Sequence, residues 1–178
     1  MKRAGKALAC ILSAILLFAL LPYLPARAAG TAYYIDSISG SDETGDGLSP
    51  ATAWRTVPEL ERITLSPGDA VYFRRGGVYE GTLRFDQCAG APDAPITVTA
   101  YGEGEKPLLT TDERAEVMRL FDCSYFTVSE LEITAPNGGG IWIDARTGPS
   151  VGITLENLSI HNIQNYKVSA RDGLSAGA

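Results

Sequence analysis

One apolar pattern occurs twice in this chain, 27 residues apart, and nothing else in the sequence limits its fold so tightly. The first copy runs from Phe126 to Ile133 and the second from Ile153 to Ile160. Phe126 matches Ile153, Val128 matches Leu155, Leu131 matches Leu158 and Ile133 matches Ile160. Within each copy the apolar spacing is two, three, two. A spacing of two is a strand with one inward face, and the extra residue in the middle is a corner. Ile96, Val98 and Tyr101 repeat the first part of this spacing at an offset of 30. A strand–corner–strand unit of this size cannot bury its own apolar row. Stacked units bury it, with neighbouring strands about 4.8 Å apart and like residues in ladders. The pattern therefore predicts an all-β chain coiled into a parallel β-helix. All eight apolar residues are expected on one interior, in vertical register. A β-sandwich with the same spacing by coincidence is the competing architecture. Asn137-Gly138 is the one hairpin-type dipeptide flanked by alternating segments.

Glycine, at 19 of 178 residues, is above its usual share of about 7% and calls for many turns. The chain carries 15 basic and 21 acidic side chains. Four of the bases, Lys2, Arg3, Lys6 and Arg27, lie in residues 1–28, which hold no acid. There Lys2, Arg3 and Lys6 precede an apolar run from Ala7 to Leu21, then Pro22, Pro25 and Ala26-Arg27-Ala28. As a helix the run would rise about 22 Å, short of the roughly 30 Å hydrocarbon core. Basic start, short apolar stretch and A-x-A site together read as a secretory signal peptide, 1–28, cleaved next to Ala29. An uncleaved anchor is the alternative. Cys10 stands at the start of the apolar run and not at its end, which argues against a lipoprotein. After cleavage the chain has 11 bases and 21 acids, a net charge of −10. Such a surface excludes nucleic acid and anionic membrane as partners, since both require clustered Lys or Arg. Cys88 and Cys123 are the cysteines that remain. In an oxidising compartment they either pair or stay as small buried hydrophobes, and the sequence leaves both open.

Past residue 28, short strands alternate with turn residues. Tyr33-Tyr34-Ile35, Val71-Tyr72-Phe73, Val78 to Phe85 and Ile96 to Tyr101 read as strands. Gly40 to Gly47 is a loop and Ser66-Pro67-Gly68-Asp69 a turn. Thr56-Val57-Pro58-Glu59 has the form of a capping box, with Thr56 as N-cap, Glu59 at N3 and a proline in the first turn. It predicts one short helix with Leu60 and Ile63 on its apolar side. The organisation is thus 29–70 for a lead-in strand, loop and capping helix, and 71–178 for the first coils, about three of them.

In order and spacing, several stretches between Tyr33 and Pro107 resemble the N-terminal region of secreted right-handed parallel β-helix proteins of the pectate-lyase-like superfamily. They are Tyr33-Tyr34-Ile35-Asp36, Gly40-Ser41-Asp42, Asp46-Gly47-Leu48-Ser49-Pro50, Ala53-Trp54-Arg55-Thr56, Leu65 to Arg74, Gly76-Gly77 and Ala94 to Gly102. The resemblance implies that the helix after Thr56 caps the first coil, with Trp54, Leu60 and Ile63 as an apolar plug. It also implies a carbohydrate-active parent, acting on an acidic polysaccharide such as pectate by β-elimination. A non-enzymatic glycan-binding or spacer β-helix shares the same region. Members that cleave polysaccharide need more coils than these, so the chain reads as a truncated piece without cleaving activity of its own.

A lyase needs a base near the uronate α-carbon and a cation for the developing enolate. Lys167 and Arg171 are the candidate bases. Trp142 and Arg146 are candidate sugar contacts, Trp142 through its ring face. Asp144 and Asp172, or Asp42 and Asp46 in the glycine-rich loop, are candidate Ca²⁺ ligands. The loop lacks an EF-hand's twelfth-position acid, because Ala53 stands there. For each of these residues a plain coil surface or solvated turn is the competing reading. His161 follows an inward Ile160 and is expected on the surface, and Gly-x-Ser-x-Gly is absent. Asn157-Leu158-Ser159 matches a glycosylation sequon.

Overall fold

The computed structural model describes residues 30–164. The signal peptide reading of 1–28 and the candidates Lys167, Arg171 and Asp172 lie outside the described residues. β1 (Ala32–Ile35) leads in. β2 (Ala70–Arg74), β3 (Val78–Glu80) and β4 (Leu83–Asp86) make the first coil. β5 (Ile96–Tyr101), β6 (Leu108–Thr110) and β7 (Glu116–Phe121) make the second. β8 (Phe126–Ser129), β9 (Glu132–Ala135) and β10 (Gly139–Asp144) make the third. β11 (Ile153–Glu156) and β12 (Ser159–Ile163) open a fourth. Every strand pair in the three sheets is parallel, and each strand meets its counterpart on the next coil. The sheets run β1-β2-β5-β8-β11, β3-β6-β9-β12 and β4-β7-β10. The chain is an all-β parallel solenoid of about three turns, as the repeat predicts.

Register turns the repeat into ladders. Ile96, Phe126 and Ile153 align, as do Val71, Val98, Val128 and Leu155, and Ile133 with Ile160. Phe126, Val128, Leu131 and Ile133 are wholly buried. Each such side chain contributes about 1.5–3 kcal/mol of apolar burial. On the fourth coil Ile153 and Leu158 are partly buried against the same core, while Leu155 and Ile160 are 44% and 46% exposed. The extra residue of the two-three-two spacing is a left-handed corner, Glu130 at φ 60° and Asn157 at φ 52°. Such a residue turns the strand without breaking the register on either side.

Tyr101 departs from its expected inward place. β5 continues straight where β8 bends, so Tyr101 pairs with Arg74 and sets its ring edge-on to Tyr34, centroids 5.2 Å apart. The inward position in the next sheet is filled instead by Leu109, which aligns with Ile133. The capping box also fails to form. Thr56 makes no side-chain cap, and Val57–Arg62 is a 3-10 helix. The reason is Asp42, which takes the Thr56 hydroxyl at 2.8 Å and the Arg55 and Thr56 backbone N–H groups at 2.6 and 3.1 Å. Glu59, largely buried, pairs with Arg62 at 2.6 Å instead of reaching back.

The short helix still closes the first coil. Trp54 and Val57 are buried, and Leu60 and Ile63 pack against the same core. Trp54 bridges Ile35, lies parallel to Tyr33 at 5.9 Å and donates Nε1–H to the Gly45 carbonyl at 3.1 Å. Gly47 lies under this ring at φ 72°, where a Cβ would come within 2.6 Å of it. Behind the plug, the buried Asp36 accepts from Ile38 N and Ser39 N, both at 2.9 Å, and from Arg74 at 2.7 Å.

Candidate functional site

The sheet β4-β7-β10 carries alternating inward and outward residues on each coil. Leu83, Phe85, Met118 and Leu120 point into the core. Between them, Arg84 aligns with Arg119 and Arg119 with Trp142, while Asp86 aligns with Phe121 and Phe121 with Asp144. By the period of two, these six share the outer face. The sheet thus presents a column of two guanidiniums and an indole beside a column of two carboxylates and a phenyl ring.

Arg146 completes the face from the loop after β10. Its Nε and an Nη both donate to Asp144 Oδ2 at 2.7 Å. Its guanidinium carbon lies 4.9 Å from the Phe121 ring centroid, and that of Arg119 lies 5.9 Å from it. A cation over an aromatic face at this depth contributes about 0.5–1 kcal/mol. Asp122 sets the loop. It accepts from Arg146 N at 2.5 Å, from Thr147 N at 3.1 Å and from the Thr147 hydroxyl at 2.9 Å. The hydrogen bond from Thr147 N, with those from Arg146 N and the Thr147 hydroxyl, holds the Asp122 carboxyl below its ordinary pKa, against the opposing effect of burial. Arg119 Nε is buried without a hydrogen-bond partner, as is the hydroxyl of Thr82. Thr82 and Arg84 line a shallow hollow of about 190 Å³ together with Val57, Pro58, Gly81 and Glu113.

Trp142, Asp144 and Arg146 therefore meet on one surface, as the coil geometry predicts. Asp42 and Asp46 do not join them. Asp42 ties the loop to the start of the 3-10 helix, and Asp46 accepts from the Thr52 hydroxyl at 2.6 Å and Leu48 N at 2.9 Å. Among the described residues no three His, Cys, Asp or Glu side chains cluster so as to hold a metal ion. His161 is exposed and sits 2.8 Å from Glu132 Oε1. Arg84, Arg119, Phe121 and Asp122 are the residues that sequence reasoning missed. Their signal was a second offset, 35, which sets Leu83-Arg84-Phe85-Asp86 over Met118-Arg119-Leu120-Phe121.

The face combines two kinds of group that can contact a sugar. Indole and phenyl faces take the C–H side of a sugar ring, and guanidinium forks donate to hydroxyl or carboxylate oxygens. General-acid chemistry would instead need a carboxyl with a raised pKa. Among the described residues, each carboxyl that departs from its ordinary value departs downward: Asp36, Asp42, Asp46, Asp122 and Glu130.

No protein-family model matches the chain. Over a 195-residue alignment it is 29% identical to the lacto-N-biosidase of Bifidobacterium longum subsp. longum, covering 76% of this chain. The fold resembles the crystal structures of the GH136 lacto-N-biosidase from Eubacterium ramulus. The selenomethionine derivative gives a TM-score of 0.67 at 28% identity, and the native protein 0.63 at 27%. Both superpositions take in 75% of this chain. The chain spans 12% of the length of the Bifidobacterium protein and 27% of the crystallised ones.

Proposed function

We propose that these coils belong to a longer, secreted, carbohydrate-active β-helix protein, and that the outer face of β4-β7-β10 binds its glycan. One observation carries this reading: three quarters of the chain matches lacto-N-biosidases in both sequence and fold. Those relatives bear a glycosidase name, which favours hydrolysis of a glycosidic bond over β-elimination. The expected ligand is an oligosaccharide carrying a lacto-N-biose unit. The role given to this chain is to hold sugar, with acid–base carboxylates supplied by other parts of the protein. Cleavage of an acidic polysaccharide such as pectate is the second reading, favoured by the aligned guanidiniums of Arg84 and Arg119, which suit a carboxylate. The reading invokes no Ca²⁺. It includes export, with cleavage next to Ala29.

The test is titration calorimetry of the exported chain with lacto-N-tetraose and with oligogalacturonate. Binding of the first supports the hydrolase reading, and binding of the second supports the pectate reading. Binding of neither, by a chain with an intact β-sheet signal, overturns the assignment of this face.

A further inference from the structure

The coils turn the same corner twice, and a cysteine follows each corner. β4 and β7 end on the aligned pair Asp86 and Phe121. The next residues, Gln87 and Asp122, are both left-handed, at φ 54° and 49°. Register then resumes at the bridge between Ala89 and Ser124. Gln87 N donates to the Phe121 carbonyl at 2.8 Å, Ser124 N to the Cys88 carbonyl at 3.1 Å and Gly90 N to the Ser124 carbonyl at 2.9 Å. The offset is 35 on both sides of the corner, so Cys88 stands opposite Cys123 on the adjacent coil.

Neighbouring strands in such a ladder lie about 4.8 Å apart, inside the roughly 4.4–6.8 Å between Cα atoms that a disulfide spans. Both residues are free thiols, Cys123 buried and Cys88 partly exposed. Cys88 packs against the same core in which Cys123 is buried. Cys123 Sγ also lies 3.1 Å from the Phe85 carbonyl oxygen. Residues that stand opposite one another on adjacent coils, with paired residues on both sides, are at the spacing a disulfide needs.

We propose that Cys88 and Cys123 form a coil-to-coil disulfide when the protein meets a small-molecule disulfide oxidant. The accessible Cys88 attacks one sulfur of the oxidant R–S–S–R, giving a mixed disulfide and releasing RSH. Cys123 Sγ then attacks Cys88 Sγ, the Cys88–SR bond breaks, and the second RSH leaves. The protein loses two electrons and two protons, and the oxidant gains both. The bond would fix the first coil to the second three residues beyond the Phe85–Leu120 pair, and so fix the spacing of Arg84 and Arg119 on the glycan face.

The experiment uses the full chain, reduced and then exposed to oxidised glutathione. The expected products are a monomer with a Cys88 peptide linked to a Cys123 peptide, 2 Da lighter than the reduced pair. A rise in Tm of about 10 °C, reversed by reductant, should accompany it for a ring of this size. The Cys88→Ser/Cys123→Ser variant should lose the rise while keeping the circular dichroism of the reduced protein. Should that variant fail to fold, peptide mapping of the native chain still decides. Glutathione retained on Cys88 without ring closure, a disulfide-linked dimer, or two unreacted thiols would each overturn the proposal.

Discussion

Asn157 donates its Nδ2–H to Glu130 Oε1 at 2.6 Å, one coil above it, and both residues hold the left-handed corner of their coil. The stack continues upward, since Arg75 donates to the other oxygen of Glu130 at 2.5 Å, and Lys106 Nζ donates to the Asn157 carbonyl. Short polar side chains tolerate this backbone, and a β-branched one does not. Asn157→Val is therefore expected to cost about 1–2 kcal/mol, and Glu130→Gln, which keeps the hydrogen bond and loses a partly exposed ion pair, less than that. Urea unfolding of the two variants measures both.

Acid should weaken the fold at its corners and plug. Asp36 is pushed up by burial, but the Ser39 and Ile38 N–H groups and the Arg74 guanidinium outweigh that and lower its pKa. A carboxyl lowered on folding stabilises the protein above its unfolded pKa and loses that contribution as pH falls through the folded value. Asp42, Asp46, Asp122 and Glu130 shift in the same direction. Stability should be level above about pH 5 and fall progressively below about pH 4. Asp36→Asn should cost about 2 kcal/mol at neutral pH and flatten the acid limb. Thermal melts from pH 7 to 3 would show it, and an unchanged slope in the variant would refute the role of Asp36.

Phe126 has no solvent exposure, lies between Ile96 and Ile153 in its ladder, and meets the Phe85 ring at 5.0 Å. Phe126→Ala should lose about 3–5 kcal/mol, read as a lower denaturant midpoint.

Gly47→Ala places a methyl group against the Trp54 ring at a positive φ. A loss of about 2 kcal/mol is expected, together with a change in Trp54 fluorescence.

On the proposed glycan face, Trp142→Ala should weaken oligosaccharide binding at least tenfold, about 1.4 kcal/mol. Arg119→Lys should weaken it less and leave the melting temperature nearly unchanged. Equal affinity for all three proteins would move the binding surface elsewhere.

The coils were legible wherever a whole strand–corner–strand unit repeated. Phe126 to Ile133 and Ile153 to Ile160 differ in residue type but keep one apolar spacing, and the register follows from it. Tyr101 was misplaced because corner position depends on strand length, and β5 runs on where β8 bends. β6 and β7 went unread because Leu108–Thr110 is too short to carry a period and Glu116–Phe121 repeats β4 at a different offset. The capping box was a local preference defeated by a distant carboxylate, Asp42, which bonds Thr56 across fourteen residues. At the site, Trp142, Asp144 and Arg146 were adjacent in sequence and so were found together. Arg84 and Arg119 became neighbours through coiling alone.

The plug of Tyr33 and Trp54 gives the tube a polarity. One mouth is stoppered by residues that precede the first coil, while among the described residues the fourth coil carries Leu155 and Ile160 exposed. Each coil between them pairs only with its neighbours, so register passes from coil to coil by strand pairing. A fault in one coil would be felt first by the coils that pair with it on either side.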